Sequence, residues 1–231
     1  MTREEYVRGL REIFTPAQVL SRGEDKTVLR LRHRRSGRDL VLRSYPGRTP
    51  VYDYLKETRV RGFPEVYDVI SCSDGRIVLE EWVEGTPLSD LLERSLFTYR
   101  AASKILVRAA GALQVLHGAG FVHRDIKPKN ILLTPSGEPV ILDLETARPV
   151  KTGDDTHRLG TAGFAAPEQF VGKSDPRSDV YALGVTLCVM LTGRHPSEAM
   201  PRGRAGRIVR KATATDPADR YADAGDFADA L

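Results

Sequence analysis

The stretch that most constrains this chain is the octet His123-Arg124-Asp125-Ile126-Lys127-Pro128-Lys129-Asn130, a polar cluster set between two apolar patterns. Upstream, residues 101–117 carry Ile105, Leu106, Ala109, Leu113 and Leu116 at helical spacing, and Gly118 and Gly120 stop that helix. Downstream, Ile131-Leu132-Leu133, a Pro-Ser-Gly turn and Val140-Ile141-Leu142 read as a hairpin. A charged loop in this setting is either a solvated surface turn or a place where chemistry is done.

The octet resembles the catalytic loop of protein kinases, whose serine/threonine form reads H-R-D-x-K-x-x-N, with every fixed position filled here at the right spacing. Phosphoryl transfer needs positioning and charge more than covalent chemistry. The resemblance therefore implies that Asp125 orients the substrate hydroxyl and accepts its proton, that Lys127 steadies the transferring phosphoryl group, and that Asn130 holds magnesium. Asp143-Leu144-Glu145, at the hairpin's end, stands where the family has D-F-G, which makes Asp143 the second magnesium ligand by resemblance. Leu144 would be the apolar plug, and Glu145 in place of glycine would remove backbone freedom there.

Upstream of the octet the pattern is mixed. Residues 3–14 place Tyr6, Val7, Leu10, Ile13 and Phe14 on one helical face, as a docking helix would. Val19-Leu20, residues 27–32 and residues 40–42 then read as three antiparallel strands, and residues 66–69 and 77–79 around Ser73-Asp74-Gly75 complete a sheet of five. Residues 20–28 resemble the kinase glycine-rich loop with only Gly23 kept, leaving Ser21 and Lys26 beside the phosphates; a plain hairpin is the other reading. Counting on from Val28, the family's strand lysine falls in Leu40-Val41-Leu42-Arg43 and is an arginine. Arg43 keeps the charge on a larger planar fork, which is not equivalent at a fitted site; otherwise it is an exposed arginine ending a strand.

The family pairs that strand cation with an acid on the next helix. Here Asp53 is the nearest fit and Glu57 the reserve, within a short helical stretch at 50–59. Residues 80–85, Glu-Glu-Trp-Val-Glu-Gly, resemble the hinge, so backbone groups of Glu81 and Val83 would bond adenine. Val28, Val41 and Leu132 join them as expected ATP contacts. Glu80 then occupies the usually apolar gatekeeper position. A buried carboxylate needs a partner, so Glu80 either pairs with Arg43 or points to solvent with the register off by one.

Residues 146–165 look like an activation segment, with Thr152 and Thr156 as phosphorylation candidates and Arg124 and Arg148 as receivers of such a phosphate. Residues 160–168 resemble the substrate-docking end, with Ala166-Pro167-Glu168 as A-P-E. By the same resemblance Thr161 bonds Asp125 and Lys127, which favours Ser/Thr over Tyr as acceptor, and Glu168 pairs with Arg220. Ser178 to Gly184 opens an apolar helix, and the Pro/Gly/Arg-rich residues 197–206 trim the larger lobe.

The resemblance implies an α+β, bilobal protein-kinase fold: one kinase domain over residues 1–231, with a small five-stranded antiparallel N-lobe at 1–83 and a mainly helical C-lobe at 84–231. It implies ATP and Mg2+ as donor and cofactor and a protein substrate bearing Ser or Thr. The chain has 231 residues and a formal charge of +4 spread along its length, so no nucleic-acid partner is expected. Cys72 and Cys188 lie far apart without ligand spacing, and no run is long and apolar enough to span a bilayer, so a cytoplasmic protein without membrane insertion is expected. Two rivals follow from the departures: a pseudokinase that binds nucleotide or acts as a scaffold, and a small-molecule phosphotransferase of the aminoglycoside type. The latter generally lacks counterparts of Lys127 and the A-P-E segment.

Overall fold

The computed structural model describes residues 1–47, 49–150 and 161–231. They form two compact units, one of Met1–Val60 with Pro64–Val83, the other of Arg61–Phe63 with Glu84–Leu231.

The first unit is built on an antiparallel sheet in the order β1-β2-β3-β5-β4, with β1 at Phe14–Arg22, β2 at Thr27–His33, β3 at Asp39–Tyr45, β4 at Val66–Cys72 and β5 at Gly75–Glu81. Alternation sorts the side chains by face. Leu29, Leu31, Leu42, Ile77 and Leu79 make one buried cluster, and Tyr6, Val7, Leu10 and Phe14 pack against it. Those four were expected on a single helix over 3–14, but helix α1 is only Arg3–Gly9, with Leu10–Glu12 as one 3-10 turn. Thr2 and Glu5 start α1 as a reciprocal capping box. It ends because Gly9 is a poor helix former and because Phe14 already pairs with His33 across β1 and β2. Ile13 is left exposed.

The opposite face carries charge among apolar groups. Val41, Arg43 and Tyr45 of β3 lie on the same side as Arg76, Val78 and Glu80 of β5, and all six are buried. Helix α2, Pro50–Glu57, starts with proline at its first turn and buries Val51, Tyr52 and Leu55. Its Tyr52 ring sits 6.1 Å from that of Tyr45.

The second unit is mainly helical. Strand β6 (Thr86–Pro87) leads into α3 (Leu88–Leu92), then α4 (Tyr99–Gly118), which is capped by the Thr98 hydroxyl. Strand β7 (Phe121–Val122) follows, then β8 (Ile131–Leu133) and β9 (Pro139–Ile141), the expected hairpin, with β6 on its other side. Strand β10 (Arg148–Pro149) returns to pair with β7. Helix α5 (Pro176–Thr192) is buried nearly all round, from Val180 through Met190, which makes it the centre of this unit's core. Asp175 caps its start and Gly193, at φ 71°, ends it. Helices α6 (Gly203–Ala212) and α7 (Ala224–Ala230) complete the unit. A Cβ on Gly184 of α5 would stand 2.6 Å from Ala212 Cβ, so glycine is what lets α5 and α6 meet there. The expected trimmed stretch at 197–206 is shorter than anticipated, because its last four residues already belong to α6.

Candidate active site

The octet is held from beneath by a residue that carries no obvious signal of its own. Asp179, fully buried in the first turn of α5, accepts the His123 N–H on Oδ2 and the Arg124 N–H on Oδ1, each at 2.8 Å. His117 of α4 donates its Nε2 to the same carboxylate at 2.8 Å. Burial pushes the Asp179 pKa up, but the hydrogen bond from His117 and its neighbours outweigh it and hold the carboxyl below the usual range. A carboxylate taken out of water survives only with such donors. The chain bends at the anchored residue, where Arg124 takes φ 73°; Asp143, at φ 64°, is the other non-glycine residue in the left-handed region among the described residues. Strain of this kind persists only where the surroundings over-determine it.

His123 connects the octet to the residue before Asp143. Its ring Nδ1 accepts the Asp125 N–H at 3.3 Å, so Nε2 carries the proton and donates to Leu142 O at 3.2 Å. Complete burial pushes the pKa of this histidine down, consistent with a neutral ring of one tautomer. The Leu142 N–H returns a bond to Asn130 O at 2.8 Å, and Thr146 Oγ1 donates to His123 O at 3.0 Å. Asp143 is thus bracketed on both sides by bonds to the octet.

Around Asp125 the expected side chains converge. Lys127 Nζ donates to Asp125 Oδ2 at 2.7 Å and to Thr161 Oγ1 at 2.5 Å. Thr161 Oγ1 donates to Asp125 Oδ1 at 2.6 Å. The Asn130 amide nitrogen donates to both Asp125 Oδ2 and Asp125 O at 2.9 Å, which directs the amide N–H groups inward and leaves its oxygen for a cation. An amide oxygen and the Asp143 carboxylate are hard donors suited to Mg2+, which takes few protein ligands and completes its shell with water and phosphate. Among the described residues no group of three or more His, Cys, Asp or Glu is placed to hold a metal.

The docking end is fixed to the same unit. Arg220 makes a bidentate pair with Glu168 at 2.7 and 2.8 Å, as expected. Gln169, next to Glu168, accepts the Ala166 N–H and donates to Arg124 O at 3.0 Å, a link to the octet that its position in sequence did not signal. Thr152, Thr156 and Gly160 lie outside the described residues. Arg148 donates to the carbonyls of Glu145 and Ala147.

In the sheet unit, Arg43 Nε donates to Glu80 Oε1 at 2.6 Å, and both side chains are nearly out of water. Val41 stands opposite Glu80 and Arg43 opposite Val78, so the ion pair is the diagonal one that long side chains can bridge. Asp53 does not take Arg43; it pairs with Arg76 at 2.8 Å, and Glu57 is exposed. Val28 and Val41 are buried on β2 and β3, on the Arg43 face. Gly23 donates its N–H to Lys26 O at 2.8 Å without a positive φ, and a Cβ there would meet only ordinary contacts, so this turn does not itself demand glycine. Glu81 commits its N–H to Glu65 O at 2.8 Å, and Val83 ends this unit half-buried. Leu132, on β8 of the other unit, is buried against Gly85, where a Cβ would come within 2.1 Å of its Cδ2.

The residues sequence reasoning missed are Asp179, His117, Gln169 and Arg76. A signal existed for Asp179: it is an acid at the head of a helix otherwise too apolar to face water.

Comparison with known proteins agrees with this arrangement. The family model for the protein kinase domain matches residues 52–220. The serine/threonine-protein kinase PknL of Mycobacterium tuberculosis is 37% identical, over 71% of this chain and 48% of its own length. PknA of the same organism, also named a serine/threonine-protein kinase, is 32% identical over 87% of this chain and 50% of its own. The chain thus spans about half the length of the curated relatives it matches.

Proposed function

Because the chain belongs to the protein kinase family, we propose that it transfers the γ-phosphate of ATP to serine and threonine hydroxyls of protein substrates, its own included. The observation that carries this reading is the Asp125 carboxylate, held by Lys127, Asn130 and Thr161 and backed by a strained, buried loop. Asp125 orients the acceptor hydroxyl and takes its proton as the bond to phosphorus forms. Lys127 is close enough to Asp125 to offset charge on the phosphoryl group in transit. Asn130 and Asp143 are the residues to hold Mg2+, which supplies charge neutralisation on the phosphates. Arg43 is the phosphate cation of the sheet unit, and Gly23, Val28, Val41, Leu132 and the backbone of Glu81 and Val83 are the residues for the rest of the nucleotide. ATP as donor suits a cytoplasmic setting. Among the described residues no helix is long and apolar enough to cross a membrane.

A second reading, a nucleotide-binding scaffold that transfers phosphate slowly or not at all, is favoured by one observation, the buried arginine at the place of the strand lysine. Incubation with γ-labelled ATP, Mg2+ and a generic protein acceptor separates the two. Label on serine or threonine of the chain or the acceptor supports the kinase; nucleotide binding without label supports the scaffold.

A further inference from the structure

Two ion pairs lie on one face of the sheet, one buried on both sides and one whose acid is partly exposed, and they divide work that a single pair does in the family's usual arrangement. Arg43 of β3 bonds Glu80 of β5 at 2.6 Å, with side-chain exposures of 10% and 4%. Arg76, also on β5, bonds Asp53 of α2 at 2.8 Å. Helix α2 has a second tie to the sheet, Lys56 to Asp68 of β4 at 2.6 Å. Arg43 therefore has a partner within the sheet, while the acid of the helix pairs with a different arginine.

We propose that Glu80 is the positioning residue for Arg43, replacing the helix acid, so that the phosphate cation is set inside the sheet and does not depend on where α2 stands. This rests on the kinase reading and on Arg43 being that cation. Four points support it. Glu80 is too deeply buried to be carried as an idle charge. A planar guanidinium offers several N–H groups in a rigid fork, so a bond from Nε to Glu80 sets the direction of the whole fork, which a bond to the single ammonium of a lysine could not do. The bond runs between adjacent strands of a ladder that pairs from Leu40 with Glu81 to Tyr45 with Arg76, so its ends move together. The arginine and the gatekeeper acid also explain one another: each offsets part of the cost of taking the other out of water.

The test is equilibrium binding of a fluorescent ATP analogue with Mg2+, together with KM for ATP and kcat, for the native chain and for Glu80→Gln, Asp53→Asn, Arg43→Gln and the double variant Arg43→Gln/Glu80→Gln. Glu80→Gln should weaken nucleotide binding about tenfold and raise KM for ATP more than it lowers kcat. Asp53→Asn should lower the melting temperature and leave nucleotide affinity within about twofold. In the Arg43→Gln background the Glu80 change should have no further effect on affinity. Should Glu80→Gln not fold, Glu80→Asp, which keeps the charge and withdraws it by one methylene, takes its place with a smaller loss in the same direction. The inference is overturned if Asp53→Asn weakens the nucleotide as much as the Glu80 variant does, or if the two losses in the double variant add in full. A native chain that transfers phosphate normally while Glu80→Gln binds nucleotide unchanged overturns this inference alone. A native chain that binds no nucleotide overturns the kinase reading, and this inference with it.

Discussion

Replacing Arg220 by methionine should cost more stability than any exposed substitution in the chain. Its side chain is fully buried and every one of its five N–H groups is used. Nε donates to Ala214 O at 2.8 Å; Nη1 to Glu168 Oε1 at 2.7 Å and Arg177 O at 3.0 Å; Nη2 to Glu168 Oε2 at 2.8 Å and Thr215 O at 3.1 Å. Methionine keeps much of the apolar stem but leaves three carbonyls and a carboxylate without their donor. Breaking a buried pair from one side costs ~3–5 kcal/mol. Glu168 is 14% exposed and keeps the bond from Ser178, which places the expected loss near the lower end, about 3 kcal/mol. Against a total stability of ~5–15 kcal/mol that is a large fraction. For a chain of this size it corresponds to a fall of roughly 6–12 °C in melting temperature. Urea denaturation followed by circular dichroism reads it as a lower midpoint at unchanged slope.

The pH dependence supplies an independent check on the same pair. Burial raises the Glu168 pKa, but the hydrogen bonds from Arg220 and Ser178 outweigh it and leave it below the usual value. A carboxylate whose folded pKa is depressed stabilises the fold above its unfolded pKa and loses that contribution as pH falls through the folded one. The native protein should therefore lose stability on acidification below the ordinary glutamate range, and Arg220→Met should lose less of it. A loss under about 1 kcal/mol at neutral pH, with an unchanged acid slope, would refute the claim that this pair fastens the docking end to α5 and the segment before α7.

Two further substitutions probe the supports of the octet. Asp179→Asn exchanges one acceptor oxygen for an N–H group facing the donors His123 and Arg124; about 2–3 kcal/mol of stability should go, with phosphate transfer falling even well below the melting temperature, as thermal melts and rates at low temperature would show. Gly85→Ala would drive a Cβ to 2.1 Å from Leu132 Cδ2 and 2.6 Å from Leu133 O; the leucine can turn but the carbonyl cannot, so a loss of ~1–3 kcal/mol and weaker nucleotide binding are expected from melting and binding measurements.

What could be read in advance depended on whether the information was local. The octet, Asp143 and the A-P-E segment were legible because fixed residue types recur at fixed spacings, and the hairpin at 131–141 because apolar runs flank a turn. Arg43 and Glu80 could be related by counting register, since opposite strands of a sheet are locked two residues at a time. The extent of β1 was not legible: nearly all of it is exposed, so it lacks the alternation that marked β2. The choice of Arg76 by Asp53 and the anchoring of the octet by Asp179 are selections among charged groups far apart in sequence. Only the assembled fold makes them, because burial forces each carboxylate to find the donor that geometry allows.

The central proposal is that the octet performs phosphate transfer even though Arg43, proposed as the phosphate cation, is paired with Glu80 inside the sheet. The most direct measurement is the initial rate of label transfer from ATP to protein serine and threonine, for the native chain and for Asp125→Asn, whose fold is checked by its melting curve. A native rate that falls by a factor of about 10² or more in a folded Asp125→Asn is the predicted result. Equal rates in the two proteins, or no transfer by either while ATP binds, would contradict it.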